Sequence, residues 1–417
     1  MSQPTSPTIQ ILDKDNYSKQ YIVTLPSSPL GELAPSSLRL KSEILGLTTN
    51  NLSYARLGHI LGWWDIHPLP PNTPSPYDDP ERYGRISAWG YATIIESTVS
   101  SIPVGKTVYG YLPIGTLPVD VNIKVCDFDD AQLEVLDPHR QHLWKIYNRL
   151  QITDSLDVLI KEKGAEYLAW DALMQGLYGT SYNLNRYGFA WNEADLISPD
   201  GNKDTAWTMQ DADLKDAIVV CLSGSGKTAM SFAHSLKKNR PENEKPKAVI
   251  AVGSEKSKAF TEKSGFYDGV ALYSDDAATF IKNKYPEGKK VVLIDFGARE
   301  GVHARWSELL GNLGIPVRSI RVAGEVKVAN REESTKLMQR LSSSIVVHAS
   351  ALREKGIERG GKTYFKEFYE AFDGFKADGG IPGTTFRWGK GMQDWAKDWD
   401  ELVRDEVDVN TALVCRL

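Results

Sequence analysis

The alternation of apolar and polar positions changes character twice along the chain. From Leu38 to about residue 127, short apolar or alternating runs are cut repeatedly by Gly and Pro; 38–41, 85–89, 91–96 and 106–112 have strand character, as does 21–25 nearer the start. Strands this short and this often interrupted predict a small β-barrel or sandwich. Residues 68–80 hold so many prolines that they predict an exposed loop. Between about 130 and 179 the spacing turns helical, with Leu143, Tyr147 and Leu150 on one stripe and Trp170, Leu173 and Leu177 on another. The polar run 198–210 predicts an inserted surface loop.

From Ile218 onward the pattern is strand, helix, strand. Apolar runs at 218–222, 248–252, 270–273, 291–296 and 317–322 predict buried strands, separated by helices beginning at Ala229 and at 256–264, 277–284 and 304–313. Such alternation predicts a doubly wound α/β domain, a parallel sheet covered on both faces. Near the end, Trp388, Trp395 and Trp399 stand seven and four residues apart and predict an amphipathic helix that packs its aromatics on the core.

At 417 residues the chain needs at least two cores. Its 41% hydrophobic and 25% charged content is that of a soluble globular protein, and a net charge of −5 gives no electrostatic footprint for nucleic acid. Cys126, Cys221 and Cys415 are far apart, with no CxxC pair and no zinc-ligand spacing, so neither a metal site nor a disulfide framework is expected. The N-terminus lacks a basic stretch leading into an apolar core, and no apolar run approaches the roughly 20 residues that span a bilayer. A cytoplasmic protein without a membrane partner is the expectation.

The chemistry concentrates after the first strand of the alternating region. Gly224, Gly226 and Ala229 have the spacing of the G-x-G-x-x-A dinucleotide fingerprint, placed between a strand and a helix as a Rossmann fold requires. The first glycine permits a tight turn, the second lets main chain approach a diphosphate, and the small third residue allows helix and strand to pack. Ser223, Gly224, Ser225, Gly226, Lys227 and Thr228 are therefore the expected cradle, with the positive end of the helix dipole behind them. A rival reading starts from the same residues. Gly226, Lys227 and Thr228 resemble the tail of a nucleoside-triphosphate loop, and Asp295 ends a strand as a magnesium-holding acid would. That motif needs a glycine where Cys221 stands.

The end of the second strand decides the cofactor expected. An NAD site places an acid there for the ribose 2′-hydroxyl. This chain has Gly253 and Ser254, with Lys258 one turn on, which suits the 2′-phosphate of NADP. Phe296 and Gly297 follow the fourth strand, where a nicotinamide ribose would lie.

The chain resembles the medium-chain dehydrogenase/reductase superfamily, in particular its zinc-free quinone- and enoyl-reductase-like members, and looks closest to a little-characterised fungal and bacterial branch. The resemblance rests on Leu38 to Lys41 followed by the stretch from Leu47 to Tyr54, which look like that family's first barrel strands, on the turn from Val104 to Gly110, and on Gly253, Ser254 and Lys258 followed by Gly265 to Asp268 and Tyr273. It implies a GroES-like barrel over 1–185, a Rossmann domain over 186–340 and a segment 341–417 that completes the barrel. It adds Tyr273 to the 2′-phosphate contacts, and implies a homodimer. The superfamily's zinc-binding Cys and Gly-His-Glu are missing, and its usual glycine loop is replaced.

The reaction implied is hydride transfer from NADPH to an activated C=C or carbonyl of a small apolar compound, an enone, enoyl thioester or quinone. Tyr54 is the implied proton donor or oxyanion partner, oriented by Asn51. His59 and His67 nearby read as structural residues. Two other classes stay open: a non-redox enzyme, lyase or binding protein on the same fold, and a nucleotide hydrolase built on Lys227, Thr228 and Asp295.

Overall fold

One eleven-residue strand with three neighbours organises the first part of the molecule. The structure, a computed structural model, describes residues 6–341 and 344–417. In chain order its strands are β1 (Thr8–Asp13), β2 (Gln20–Thr24), β3 (Ser37–Leu47), β4 (Tyr83–Gly84), β5 (Ser87–Ser97), β6 (Thr107–Pro113), β7 (Val119–Cys126), β8 (Asp129–Val135), β9 (Arg149–Thr153), β10 (Ala217–Leu222), β11 (Ala248–Gly253), β12 (Gly269–Leu272), β13 (Lys290–Phe296), β14 (Val317–Ala323), β15 (Thr385–Lys390) and β16 (Thr411–Arg416). The α-helices are α1 (Thr49–Leu61), α2 (Leu156–Lys163), α3 (Ala165–Asn183), α4 (Met209–Ala212), α5 (Lys227–Lys238), α6 (Glu255–Lys263), α7 (Ala277–Lys284), α8 (Val302–Gly311), α9 (Arg331–Leu341), α10 (Ala349–Gly360), α11 (Lys362–Ala377) and α12 (Gly391–Val403). None of the described helices is long and apolar enough to cross a membrane.

The chain forms two compact units. The first takes residues up to Leu173, Val326–Ser334 and Thr385–Leu417; the second takes Met174–Glu325 and Thr335–Thr384. Of the segment 341–417, therefore, only the part from Thr385 lies with the barrel.

In the first unit β3 pairs with β5 through Leu38 to Leu45, with β7 through Ser37 to Leu40 and with β16 through Ile44 to Leu47. The order β3-β5-β6-β9-β8-β7 then returns to β3, and the sheet closes as a GroES-like barrel. Register shifts at Arg39/Leu40 and Ser42/Ile44 let β3 bend between partners. Arg39 lies where the three strands meet and binds Glu96 of β5 and, at 2.6 Å, Asp120 of β7. Leu38, Leu40, Leu45, Ala92, Ile94, Val108, Val121 and Leu133 fill the core.

The second unit holds the parallel sheet β12-β11-β10-β13-β14, a doubly wound Rossmann sheet. Its central strand β10 (AIVVCL) is buried at every position, as a strand covered on both faces must be. In α5, Ala229, Met230, Phe232, Ala233 and Leu236 are all fully buried.

Four expectations are corrected. The stretch from Leu47 to Tyr54, read with the first barrel strands, leaves β3 at Leu47 and is helix from Thr49, because Thr48 and Asn51 form a capping box. Leu143, Tyr147 and Leu150 share no helix: a short 3-10 turn, Lys145–Asn148, leads straight into β9, and the helical spacing is that of a turn joined to a strand. The three tryptophans divide, Trp388 standing half-exposed on β15 while Trp395 and Trp399 are buried on α12. The run 198–210 contains a buried anchor, Trp207, whose indole N–H donates to the Gly188 carbonyl at 2.8 Å.

Candidate functional site

The loop after β10 lies at the C-terminal end of the sheet, where strand order reverses and α/β folds bind ligands. Ser223 opens it in the left-handed region, φ 58°, which gives the sharp turn out of the strand. The Gly226 N–H closes that turn on the Ser223 carbonyl at 2.9 Å, and the Gly224 N–H is bound to the Val252 carbonyl at 3.0 Å. Gly224 has no room for a side chain, because a Cβ would stand 2.5 Å from that of Ala251. Tyr267 closes the other side, donating its hydroxyl to the Gly224 carbonyl at 2.7 Å.

Two of the cradle amides are thus spent within the protein. Among the described residues no hydrogen bond reaches the amides of Ser225, Lys227, Thr228 or Ala229, and the last three form the first turn of α5. Unsatisfied donors at a helix N-terminus suit an anion. Lys227, the first residue of α5, is half-buried with no carboxylate beside it among the described residues, and loss of water lowers its amine below the usual range. Thr228 uses its carbonyl, accepting from Ser181 at 2.8 Å.

The neighbouring strand ends carry the remaining predicted residues. Ser254 stands at the N-cap position of α6 without a side-chain capping bond, and its hydroxyl lies 3.1 Å from that of Ser257. Lys258 sits one turn further along the helix, half-buried, with no ion-pair partner among the described residues. No acid occupies the end of β11, since Glu255 points into solvent. Tyr273 follows β12, with its hydroxyl bonded to Ser223 and pushed up by burial. Phe296 ends β13 against Phe232, ring centroids 5.7 Å apart, and Gly297 turns at φ 108° where a Cβ would meet the Gly324 carbonyl at 2.8 Å. The structure therefore gathers the predicted cofactor residues at the ends of β10 to β13.

The same geometry weighs against the triphosphate reading. Cys221 is in register with Ala251 and Ile294 inside the sheet, so the place of that motif's first glycine is strand and not loop. Asp295 is already committed: one carboxylate oxygen accepts the amides of Gly297 and Ala298 at 3.0 and 2.8 Å, and Arg321 stands 3.8 Å from the other.

In the barrel unit Tyr54 is 3% exposed, on α1. Its hydroxyl accepts from Asn50 at 2.7 Å and from the Trp89 indole at 2.9 Å, and is bonded to the Tyr147 hydroxyl. Burial pushes it up, so it stays protonated. The predicted contact from Asn51 is not present. Asn51 completes the N-terminal cap of α1, its carbonyl oxygen accepting the Thr48 amide at 2.9 Å, and donates to the Ser87 carbonyl at 3.1 Å. Asn50, which sequence reasoning missed, holds Tyr54; its i, i+4 spacing on a helix was the available signal. Trp63, Tyr111 and Tyr147 pack edge-on around Tyr54 at 4.8 to 5.9 Å.

Residues 45–408 match the model of a family described as Protein of unknown function (DUF2855). The chain belongs to that family. No curated protein matches this DUF2855 chain. Among solved structures it is similar to CurA in complex with NADPH from Vibrio vulnificus (11% identity, 98% of each chain covered, TM-score 0.52). It is also similar to the quinone oxidoreductase of Escherichia coli complexed with NADPH (15%, 98% of this chain and 100% of that one, 0.52) and to the apo JamJ enoyl reductase (13%, 99% of each, 0.53). These likenesses show the fold alone, a Rossmann domain together with a GroES-like domain.

Proposed function

We propose that the chain is an NADPH-dependent oxidoreductase acting on an activated C=C or carbonyl of a small, apolar molecule, in the cytoplasm. The observation that carries this is the set of unspent amides at Ser225, Lys227, Thr228 and Ala229, above a turn whose first glycine is pressed onto β11. In this reading they and Lys227 hold the diphosphate; Ser254, Lys258 and Tyr273 hold the 2′-phosphate; Phe296 and Gly297 border the nicotinamide ribose. The solved structures with NADPH on this fold support the choice of cofactor. Bound there, NADPH supplies the reducing equivalent. Tyr54 is the proton donor, with Asn50 and Trp89 fixing its oxygen and Tyr147 in contact to replenish the proton.

Titration of the purified protein with NADPH, NADH and magnesium-ATP tests the reading. Quenching of tryptophan emission by NADPH at lower concentration than by NADH is the expected result. Binding of ATP with neither dinucleotide would overturn it in favour of the hydrolase, and silence toward all three in favour of a non-redox protein.

A further inference from the structure

Among the described residues, the barrel unit buries an arginine with two donor atoms that find no hydrogen-bond partner. Arg85, between β4 and β5, is 3% exposed, and neither its Nε nor its Nη2 has a hydrogen bond. Nearby buried groups are also unused: Nε2 of His67 and Oγ of Ser87 have no partner, and the Tyr111 hydroxyl makes no well-formed bond. These groups are neighbours. Arg85 and Arg140 both act electrostatically on His67, Arg140 acts on Tyr111, and Tyr111 faces the Ser87 main chain. Ser87 and Trp89 share a face of β5, and in the β5–β6 pairing Trp89 stands opposite Tyr111.

An unpaired buried charge costs several kcal/mol, and a guanidinium does not escape by losing its proton. Burial brings Arg85 down only to about 10, so it remains cationic at neutral pH. The charge balance identifies what would compensate it. Arg140 has Asp137 beside it and spends its Nε and Nη2 on the Asn148 side chain and the Tyr147 carbonyl. His67 is held neutral, its basicity lowered well below the usual histidine range by burial and by these arginines. One uncompensated positive charge is left, and it calls for a monoanion. The two open donors of Arg85, Nε and Nη2, form the side-on edge of the guanidinium, which matches the two oxygens of a carboxylate.

We propose that Arg85, with His67, Ser87 and Tyr111, is a receptor for the carboxylate of a small aromatic or aliphatic acid. The surroundings suit an acid with an apolar body: Tyr111 lies 4.8 Å from Tyr54 and 5.2 Å from Trp89, which is half-exposed. Since Tyr54 is the proton donor of the proposed reaction, the receptor narrows the proposed substrate to an unsaturated acid, an apolar body that carries one carboxylate, and that extension alone rests on the oxidoreductase reading. Carboxylate binding does not rest on it.

The test is therefore made without cofactor, on the full chain, with trans-cinnamate, its neutral amide and inorganic phosphate as probes. Cinnamate is expected to raise the melting temperature and quench tryptophan emission, at a concentration at least about tenfold below that of cinnamamide, while phosphate does neither. Arg85→Met is expected to abolish the preference for the acid and to melt at or above the wild-type temperature, because it removes an unpaired charge. Arg85→Lys, which keeps the charge without the two-point edge, is expected to bind cinnamate several-fold more weakly. Equal binding of acid and amide by the wild type, or an acid preference that survives in Arg85→Met or is undiminished in Arg85→Lys, would overturn the receptor. Phosphate binding in place of cinnamate would overturn the carboxylate assignment. Failure of NADPH to bind would leave the receptor standing and remove only the substrate extension.

Discussion

Gly224 lies so close to Ala251 that a methyl group added to it would reach 2.5 Å from the neighbouring Cβ and 2.9 Å from the Cα behind it. The glycine is thus where the loop touches the sheet, and its carbonyl and amide are both fixed there, by Tyr267 and Val252. Gly224→Ala should push the loop off β11, with an overpacking cost of about 1–3 kcal/mol. A lowered melting temperature with loss of NADPH binding is the expected pair of effects. Adding Ala251→Gly should recover only part of both, because the Cα and the Val252 nitrogen, at 2.9 and 3.2 Å, still obstruct the new methyl. An undisturbed Gly224→Ala protein would show that the loop has slack there.

In the proposed reaction the two adjacent asparagines of α1 separate stability from chemistry. Asn51 caps the helix and binds β5, so Asn51→Ala should cost about 1–2 kcal/mol of stability. Asn50 is half-buried and its side chain serves Tyr54, so Asn50→Ala should melt nearly as the wild type does and lower turnover. Tyr54→Phe should lower turnover about 100-fold while NADPH binding is unchanged. Thermal melts and steady-state rates on the three variants check the assignment; an Asn51→Ala protein that is stable but inactive would reverse the two roles.

These two cases also show what the sequence makes legible. The Rossmann unit can be read almost strand for strand, because β10 and β13 are continuous apolar runs and Gly224 and Gly226 punctuate a strand-to-helix turn. The barrel is harder. Its β3 serves three partners through local irregularities, and Arg39, a buried charged residue near the start of that strand, is explained only by acids on β5 and β7. The windows 85–89 and 91–96 look like two strands because Gly90 interrupts them, yet a Cβ there would be 1.9 Å from the Ile44 carbonyl, so the glycine permits close approach within a single strand. At the Tyr54 site the resemblance places Leu47 to Tyr54 among barrel strands, whereas Asn50, Asn51 and Tyr54 share α1, and nothing in the sequence says which asparagine meets the hydroxyl. That depends on the cap at Thr48 claiming Asn51.

His67 gives a pH dependence with a defined sign. Burial, with Arg140, Arg85 and His139 facing it, holds its folded-state proton affinity well below the ordinary 6.5. Below about pH 6.5 the unfolded chain therefore binds a proton that the folded one does not, and stability is lost as pH falls through that value; above it the contribution is fully present. The slope from this one group is ~1.4 kcal/mol per pH unit. His59, His234, His303 and His348 are lowered as well, so the useful quantity is the difference between proteins. Chemical denaturation of His67→Gln at several pH values between about 5 and 7 should give a shallower decline toward acid than the wild type. Parallel profiles would mean that His67 is already protonated in the fold.

The proposed cofactor preference rests on Lys258. It stands one turn from Ser254 on α6, half-buried and without an ion-pair partner among the described residues, at a strand end where no acid is present to claim a ribose hydroxyl. A 2′-phosphate would meet a cation there, and a charge-assisted bond of about 1.5–3 kcal/mol corresponds to roughly tenfold or more in affinity. NADH offers only a hydroxyl at that position and gains nothing from the lysine. Lys258→Glu should accordingly weaken NADPH at least about tenfold, through loss of the cation and repulsion from the new acid, and leave NADH nearly unaffected. Fluorescence titration of both dinucleotides at two salt concentrations checks it, since the lysine's contribution should shrink as salt rises. Equal weakening of NADPH and NADH would place Lys258 away from the 2′-phosphate and leave Ser254 and Tyr273 to account for any preference.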